Sequence, residues 1–154
     1  KCMRKFKVDW ILVDEIAIGK APKRKEDFDL LLSNGFKSIL SLCYQDEYEF
    51  DREFLKSFNY LNYPIPDHRK GKLPTTLEIS EALNLLDLAR EKGPVFIHCF
   101  AAVERSPLIC MAWLINKKKM NTNEALEYMM EVHPRTCPLS SQLKLLNDDL
   151  ITNN

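Results

Sequence analysis

The residues best suited to chemistry lie in one short segment, His98 to Pro107. It contains His-Cys, five further residues and then Arg-Ser. A loop of this length can fold around a phosphate, with the Cys99 thiol below the anion and the Arg105 guanidinium above it. An apolar strand pattern precedes the segment and an apolar helical pattern follows it, so the loop leads into a helix N-terminus. These features predict a nucleophile that acts on a phosphoryl group.

The side chains of this segment have complementary predicted roles. A thiol becomes a good nucleophile when it ionises, and loop amides together with a helix N-terminus favour both the Cys99 thiolate and a bound phosphate. The planar guanidinium of Arg105 can bind two phosphate oxygens at once. In such a loop the Ser106 hydroxyl is close to the sulfur and can help it to leave when a phosphocysteine is hydrolysed. We expect His98 to hydrogen-bond the backbone of the loop.

Phosphoryl transfer from an alcohol also requires a proton for the leaving oxygen. Asp67 is the best candidate for this general acid, because it follows an extended segment and lies on a loop with Gly71 as a hinge. The same carboxylate would then act as a base towards water in a second step. A loop aspartate is more often only a turn former. Three acids of the preceding loop are weaker candidates: Asp46, Glu47 and Asp51.

The composition is that of a soluble globular protein without an evident polyanionic partner. The 154 residues carry a formal net charge of zero, and 45% of them are hydrophobic. These values fit a single domain, expected over residues 1–154, that is monomeric, binds no nucleic acid and does not insert stably into a membrane. Five cysteines without regular spacing favour a cytoplasmic protein over a secreted one. With no CxxC pair and only three histidines, we expect no structural metal site.

Strand and helix patterns alternate along the chain. Residues 10–13 and 16–18 predict a hairpin, and residues 36–43 and 93–97 predict central strands. Helices are predicted over 25–33, 51–58, from Thr75 or Thr76 to about Lys92, from Asn121 or Thr122 onward, and over about 140–150. The predicted buried residues of the two longest are Ile79, Leu83, Leu86 and Leu88, then Ala125, Leu126, Met129 and Met130. This alternation predicts an α/β fold with a mainly parallel central sheet and helices on both faces.

The segment from His98 to Ser106 resembles the active-site motif of the cysteine-dependent protein phosphatases, in particular their compact dual-specificity branch. The interval of 32 residues from Asp67 to Cys99 is similar to that family's spacing between general acid and nucleophile. The resemblance extends more weakly to Trp10–Gly19, to Asn34–Leu42 and to a segment around Gln142 that would brace the loop.

This resemblance implies a phosphotyrosine-phosphatase-like fold and a phosphorylated protein as substrate, without a cofactor or metal. It implies that Cys99 is the nucleophile, Arg105 the phosphate clamp, Asp67 the acid, and that Ser106 assists the departing thiol. Backbone amides of the loop would bind phosphate oxygens; these are the amides of Phe100, Ala101, Ala102, Val103, Glu104 and Arg105. The short chain lacks a long phosphotyrosine-recognition insert, which favours a shallow pocket open to phosphoserine and phosphothreonine as well.

Two loop residues depart from the family, which usually has glycine where this chain has Ala102 and rarely has an acid at Glu104. Alanine there would strain the loop. We expect Glu104 to face solvent or to pair with Arg69, Lys70 or Lys72; the alternative is a part in proton transfer or substrate discrimination. An acid before the arginine also occurs in rhodanese-fold phosphatases, whose loop differs at the position of Ser106.

Further alternatives concern redox chemistry and substrate. In related phosphatases a cysteine placed like Cys43 forms a disulfide with the nucleophile under oxidation, so Cys43 is a candidate redox partner of Cys99; a buried apolar thiol is the simpler interpretation. A phosphoinositide or other non-protein phosphomonoester phosphatase is the alternative enzyme, with basic residues near His68 as rim charges. A phosphatase-like module that binds phosphorylated partners without turnover is the alternative outside enzymes.

Overall fold

The structure, a computed structural model, describes residues 5–152. Five strands form one sheet in the order β1-β2-β5-β3-β4. The strands are β1 (Asp9–Leu12), β2 (Ile16–Gly19), β3 (Ser38–Ser41), β4 (Asn59–Asn62) and β5 (Val95–His98). β1 pairs antiparallel with β2, and every other neighbouring pair is parallel. The sheet thus confirms the predicted hairpin and the mainly parallel α/β fold.

The described residues also contain six α-helices and two short 3₁₀ helices. The α-helices are α1 (Lys25–Ser33), α2 (Thr76–Arg90), α3 (Arg105–Lys118), α4 (Thr122–Val132), α5 (Ser140–Leu145) and α6 (Asp149–Thr152), and the 3₁₀ helices are Arg52–Leu55 and His68–Lys70. α2 and α4 begin at capping boxes, in which Thr75 exchanges hydrogen bonds with Glu78 and Asn121 does so with Glu124. These helix starts agree with the sequence prediction.

Three details of the predicted helices are wrong. The last helix is divided into α5 and α6, because the Asp148 side chain accepts from the Leu150 amide and so starts a new helix. Leu88 is 56% exposed and Met130 is 52% exposed, although both were expected on buried faces. Leu88 follows the buried Leu86 by two positions, and Met130 follows the buried Met129 by one. Residues this close in sequence do not share a helix face. Over residues 51–58 only the 3₁₀ turn forms.

Two apolar layers cover the sheet because successive residues of a strand point to opposite faces. On one face Phe96, from β5, packs in a cluster with Phe28 and Leu31 of α1. On the other face its neighbours Val95 and Ile97 pack in a cluster formed with α2, α3 and α4. Every residue of α3 from Arg105 to Asn116 is buried, so this helix forms the centre of the second layer. No helix within residues 5–152 combines the length and the apolar character that crossing a bilayer requires.

The parallel strands end at a common edge of the sheet. His98, the last residue of β5, pairs with Gly19 of β2 and with Ser41 of β3, and Ser41 in turn pairs with Asn62 of β4. The chain segments that follow β3, β4 and β5 therefore start side by side. This is the edge at which α/β sheets bind their ligands, and all of the predicted catalytic residues follow strands that end there.

Candidate active site

Cys99 and Ser106 are brought together by a tight loop between β5 and α3. The Cys99 loop (residues 99–104) starts directly after β5, and α3 starts at Arg105. The Sγ atom of Cys99 lies 3.3 Å from Oγ of Ser106, and both side chains are buried. A hydroxyl at this distance can donate a hydrogen bond to a sulfur that carries negative charge.

Ala102 gives the Cys99 loop an unusual backbone conformation. Its φ angle is +58°, in the left-handed region, and the residue is buried. This conformation costs a residue with a Cβ atom about 1–2 kcal/mol, which is why glycine is common at such positions. The strain expected at Ala102 is therefore present, and contacts from outside the loop must stabilise it.

Contacts from segments distant in sequence hold the Cys99 loop from outside. His133, just after α4, lies with Nε2 2.6 Å from the Ala102 carbonyl oxygen and with Nδ1 2.6 Å from Oδ2 of Asp9 in β1. The Cys137 amide donates to the Val103 carbonyl oxygen at 2.7 Å. Both ring nitrogens of the buried His133 therefore have a hydrogen-bonding partner. The sequence analysis missed His133 and Asp9, since no local pattern connects residues 124 positions apart.

Replacing His133 by alanine should lower the free energy of unfolding by about 2 kcal/mol, because a buried carbonyl and the Asp9 carboxylate lose their donor. The same change should weaken binding of phosphate analogues by relaxing Ala102. Thermal unfolding and vanadate titration measure the two effects. Asp9→Asn keeps an acceptor for Nδ1 and should show a smaller loss of both; equal affinity for vanadate in His133→Ala and the parent would contradict the bracing role.

His98 supports the start of the same loop. Its Nδ1 atom donates to the Cys99 carbonyl oxygen at 2.9 Å, and Nε2 lies 3.4 Å from the Tyr48 hydroxyl. Burial lowers the pKa of His98 to about 4, so the ring is neutral at physiological pH. A neutral ring with its proton on Nδ1 can accept from Tyr48 at Nε2. His98 is thus placed as a structural hydrogen-bonding group, as expected from its sequence position.

Arg105 is held in a buried ion pair with Glu47. Its two Nη atoms donate to the two Glu47 carboxylate oxygens at 2.7 Å each, and Nη1 also lies 3.4 Å from the Leu42 carbonyl oxygen and 3.3 Å from that of Ile65. Burial opposes the charge on Arg105, but the Glu47 hydrogen bonds and the neighbouring Cys99 sulfur raise its pKa overall. Burial likewise opposes the charge on Glu47, yet the Arg105 hydrogen bonds lower the pKa of that carboxyl. Glu47 thus orients the guanidinium in this structure and does not stand free as an acid.

Asp67 lies next to Arg105 and is paired with Arg69. Its Oδ2 atom accepts from Arg69 Nε at 2.9 Å and Nη2 at 2.6 Å, and Oδ1 accepts from the Arg69 amide at 3.0 Å. Arg105 Nη2 is 3.5 Å from the same Oδ2. Burial would raise the pKa of Asp67, but the Arg69 hydrogen bonds and the Arg105 charge outweigh it and lower the pKa to about 2. The carboxyl is therefore ionised in this arrangement.

Glu104 does not pair with any of the three expected cations. His68 Nδ1 donates to its Oε1 atom, and Gln142 Nε2 lies 3.4 Å from the same oxygen. The side chain is largely buried, so Glu104 does not face solvent either. The three cations expected to pair with Glu104 lie on the 66–72 loop, and the residue of that loop that bonds Glu104 is His68. Gln142, which the sequence analysis named for a segment that would brace the loop, is fully buried beside Glu104.

Within residues 5–152, one group of side chains has the composition and spacing of a metal site. Asp67, His68 and Glu104 each offer one ligand atom, and these atoms lie within 4.8 Å of one another. The hydrogen bond between His68 and Glu104 occupies two of these ligand atoms. A divalent cation would have to displace that proton, so the group acts here as a hydrogen-bonded cluster.

Cys43 lies close to the site, next to His98. Its Sγ atom is 4.0 Å from His98 Nδ1, and both Cys43 and Cys99 are buried free thiols. Burial, with a smaller contribution from the Glu47 charge, raises the pKa of Cys43 to about 12. The thiol is therefore protonated at neutral pH. A disulfide between Cys43 and Cys99 under oxidation stays a prediction.

An open cavity of about 680 Å³ lies above these groups. The 66–72 loop lines it with Pro66, Asp67, Arg69, Lys70 and Lys72, and the remaining lining residues are Tyr44, Asp46, Glu47 and Phe100. Cys99 and Arg105 do not line this cavity, and each is only 2% exposed. A ligand in the cavity thus meets the cations Arg69, Lys70 and Lys72 on one side and the acids Asp46 and Glu47 on the other.

The comparisons with known proteins agree with this fold. Residues 18–149 match the family described as dual specificity phosphatase, catalytic domain. The chain is 33% identical to human dual specificity protein phosphatase 5 over 81 residues, which are 52% of this chain and 21% of that protein. It thus spans about a fifth of that relative's length.

Solved structures share the fold at low identity. The structure of Tk-PTP in the active form superposes with a TM-score of 0.80 and 21% identity, covering 96% of this chain and 97% of that one. PTPMT1 in complex with PI(5)P superposes with a TM-score of 0.71 and 19% identity, covering 90% and 91%. The architecture is therefore that of the phosphotyrosine-phosphatase-like α/β proteins. Within that class, the chain belongs to the dual specificity phosphatase catalytic domain family.

Proposed function

We propose that the chain is a cysteine-dependent phosphatase that hydrolyses phosphotyrosine, phosphoserine and phosphothreonine in proteins. The observation that carries the proposal is the placement of the Cys99 thiol at the start of a tight loop, 3.3 Å from the Ser106 hydroxyl and followed at once by a buried Arg105. A thiol, a guanidinium and a helix N-terminus that converge in this way suit a phosphoryl group and few other substrates.

The proposed reaction has two steps. In the first, the Cys99 thiolate attacks phosphorus, the S–P bond forms and the bond from phosphorus to the leaving oxygen breaks, while Asp67 gives its proton to that oxygen. In the second, water attacks phosphorus, Asp67 takes a proton from the water and the S–P bond breaks. Ser106 donates a hydrogen bond to the sulfur as it leaves as a thiolate. Inorganic phosphate and the free enzyme result.

Phosphate binding in this proposal uses backbone amides and one side of Arg105. The amides of Phe100 through Arg105 would donate to phosphate oxygens. Glu47 and two carbonyl oxygens take up the Nη1 hydrogens and one Nη2 hydrogen of Arg105. The Nε hydrogen, and the second Nη2 hydrogen once Asp67 has moved from its position 3.5 Å away, would bind two phosphate oxygens in the bidentate geometry that arginine favours. Glu47 would set the direction in which this edge points.

The open cavity supports a protein substrate. A broad entrance admits short phosphoserine and phosphothreonine side chains as well as phosphotyrosine, and the half-exposed rings of Tyr44 and Phe100 offer apolar contacts to a peptide.

A phosphoinositide is the second candidate substrate, because Arg69, Lys70 and Lys72 line the cavity and a structural neighbour is described in complex with PI(5)P. Against it, the Cys99 loop contains no lysine, and Asp46 and Glu47 contribute negative charge to the same cavity. A binding module without turnover is the third candidate, and the strained Ala102 and the acidic Glu104 are its support.

Asp67→Asn tests the proposed acid. We expect kcat for a phosphoserine peptide to fall by about 10²-fold or more, with a smaller loss for an aryl phosphate whose leaving group needs no proton. Phosphate release and peptide binding are measured in parallel, because the variant should keep its affinity and trap the substrate. Asp46→Asn removes the same charge from the same cavity and should cost far less activity. Equal losses for the two leaving groups would contradict the role of Asp67, and an inactive parent protein would contradict the function.

A further inference from the structure

The ion pair between Asp67 and Arg69 joins a buried carboxylate to a guanidinium that is exposed to solvent. Asp67 is 6% exposed, whereas the Arg69 side chain is 64% exposed. Arg69 donates to the carboxylate through its Nε, its Nη2 and its backbone amide. The guanidinium therefore covers the carboxylate on the solvent side, at the wall of the cavity. An anion that enters the cavity meets Arg69 before it meets Asp67.

The pairing with Arg69 disfavours the protonated form of Asp67, which the proposed general acid needs. A general acid must carry a proton, but the Arg69 hydrogen bonds and the Arg105 charge outweigh burial and lower the pKa of Asp67 to about 2, so the carboxyl is ionised at neutral pH. Three other titratable or charged groups face Asp67: His68 Nδ1 at 3.3 Å, Arg105 Nη2 at 3.5 Å, and Glu47 across Arg105. His68 and Arg105 are themselves bonded to Glu104 and Glu47. Arg69 is the cation whose departure would restore the proton most directly.

We propose that Arg69 makes the enzyme selective for phosphopeptides that carry a second anionic group beside the phosphorylated residue. The inference rests on the proposed phosphatase function. In the unbound protein Arg69 binds Asp67. A carboxylate or second phosphoryl group of the substrate takes Arg69 in exchange, and Asp67 is released to gain its proton and to move over the leaving oxygen.

The exchange is chemically balanced, because one ion pair of Arg69 replaces another and no covalent bond forms or breaks. Arg69 Nε and Nη2 bind two carboxylate or phosphate oxygens as readily as they bind Asp67 Oδ2. The substrate shifts the equilibrium between paired and released Arg69 only if it binds the released state more tightly. A neutral residue next to the phosphorylated one provides no such difference in affinity. Lys70 and Lys72 line the same wall and add attraction for an anion. Asp46, contributed by the other loop, disfavours a headgroup that is anionic on all sides and favours a peptide.

The first experiment compares kcat/KM on two phosphotyrosine peptides that differ only in the residue next to phosphotyrosine, acidic or neutral. The parent enzyme should prefer the acidic peptide by about tenfold or more. In Arg69→Ala this preference should fall to about one, and kcat on the neutral peptide should rise. Lys70→Ala removes the same charge from the same wall without an ion pair to Asp67, and it should keep most of the preference. Inositol phosphates serve as a third substrate, and preference for them over the acidic peptide in the parent would overturn the proposal.

The second experiment follows Asp67 itself. In the Cys99→Ser background, the carboxyl ¹³C shift of Asp67 is titrated with and without Arg69→Ala, and with the acidic or the neutral peptide bound. Both Arg69→Ala and the acidic peptide should raise the titration midpoint of Asp67 by a unit or more, equivalent to a tenfold rise in the protonated fraction. The neutral peptide and Lys70→Ala should leave the midpoint in place.

Failure of this inference is separable from failure of the proposed function. A parent enzyme that releases phosphate from both peptides with equal kcat/KM would overturn the role of Arg69 and leave the phosphatase intact. So would an unchanged Asp67 midpoint in Arg69→Ala. If no substrate is hydrolysed, the proposed function fails, and the titration still decides whether Arg69 controls the protonation of Asp67.

Discussion

Cys99→Ser is expected to lower phosphate release by about 10⁴-fold or more, the largest effect of any single substitution in this chain. Serine retains the position of the attacking atom and the contact with Ser106, but its hydroxyl does not ionise at neutral pH. The exchange of one buried sulfur for oxygen leaves the loop, its amides and Arg105 in place. Phosphopeptide binding should therefore persist while turnover disappears. Phosphate release, peptide titration and thermal unfolding of the same preparations measure the three quantities.

The matched control for this variant is Cys137→Ser. Cys137 is an exposed free thiol, and it contacts the Cys99 loop through its backbone amide, which the substitution keeps. The same atomic change at this position should leave turnover within about twofold of the parent, as surface substitutions usually do. Background release that is equal in the parent and in Cys99→Ser would end the enzyme hypothesis and favour the binding module.

Arg105→Lys is expected to reduce kcat by about 10³-fold, although the positive charge is retained. An ammonium presents a single point of charge, whereas the guanidinium binds Glu47 with one edge and can bind two phosphate oxygens with another. Lysine cannot bind both Glu47 and the phosphate in this way, so either Glu47 or the phosphate loses its partner in the transition state. Because the site is buried, some stability should be lost as well. Single-turnover kinetics separate the chemical step from the loss of affinity.

Arg90→Lys provides the comparison for this variant. Arg90 lies at the end of α2, is partly buried, and pairs with Asp87 of the same helix and with Glu15. It lies outside the cavity and the Cys99 loop. The same substitution there should shift the unfolding temperature but not kcat. If Arg105→Lys changed only the unfolding temperature in the same way, the guanidinium would have no part in the reaction.

The sequence was informative wherever the chemistry is local. His98, Cys99, Arg105 and Ser106 lie within nine consecutive residues, so their spacing determines a loop that brings thiol and hydroxyl together. Apolar periodicity located the strands and the capping residues located α2 and α4, because both signals depend on neighbours along the chain. The same periodicity failed for Leu88 and Met130, where an apolar residue stands beside the buried face and not on it.

The sequence was uninformative where two distant segments meet. Glu47 and Arg105 are 58 positions apart, and the ion pair between them exists because β3 and β5 are parallel neighbours that end at one edge of the sheet. His68 reaches Glu104 across the same edge. Composition alone gives no indication of which acid pairs with which cation among 22 of each. Arg69, which the sequence analysis named as a partner of Glu104, pairs instead with Asp67, two positions away in the same turn.

The contact between Asp9 and His133 shows that residues before the family-matched stretch take part in holding the Cys99 loop. The stretch that matches the family starts at residue 18 and ends at 149. Asp9 lies before that stretch, in β1, and Ile151, whose carbonyl oxygen accepts from Asn116 of the central helix, lies beyond it. A fragment trimmed to the matched boundaries would deprive His133 of its carboxylate and α3 of its terminal partner. The hydrogen bonds that hold the folded domain together therefore extend beyond both ends of the matched stretch.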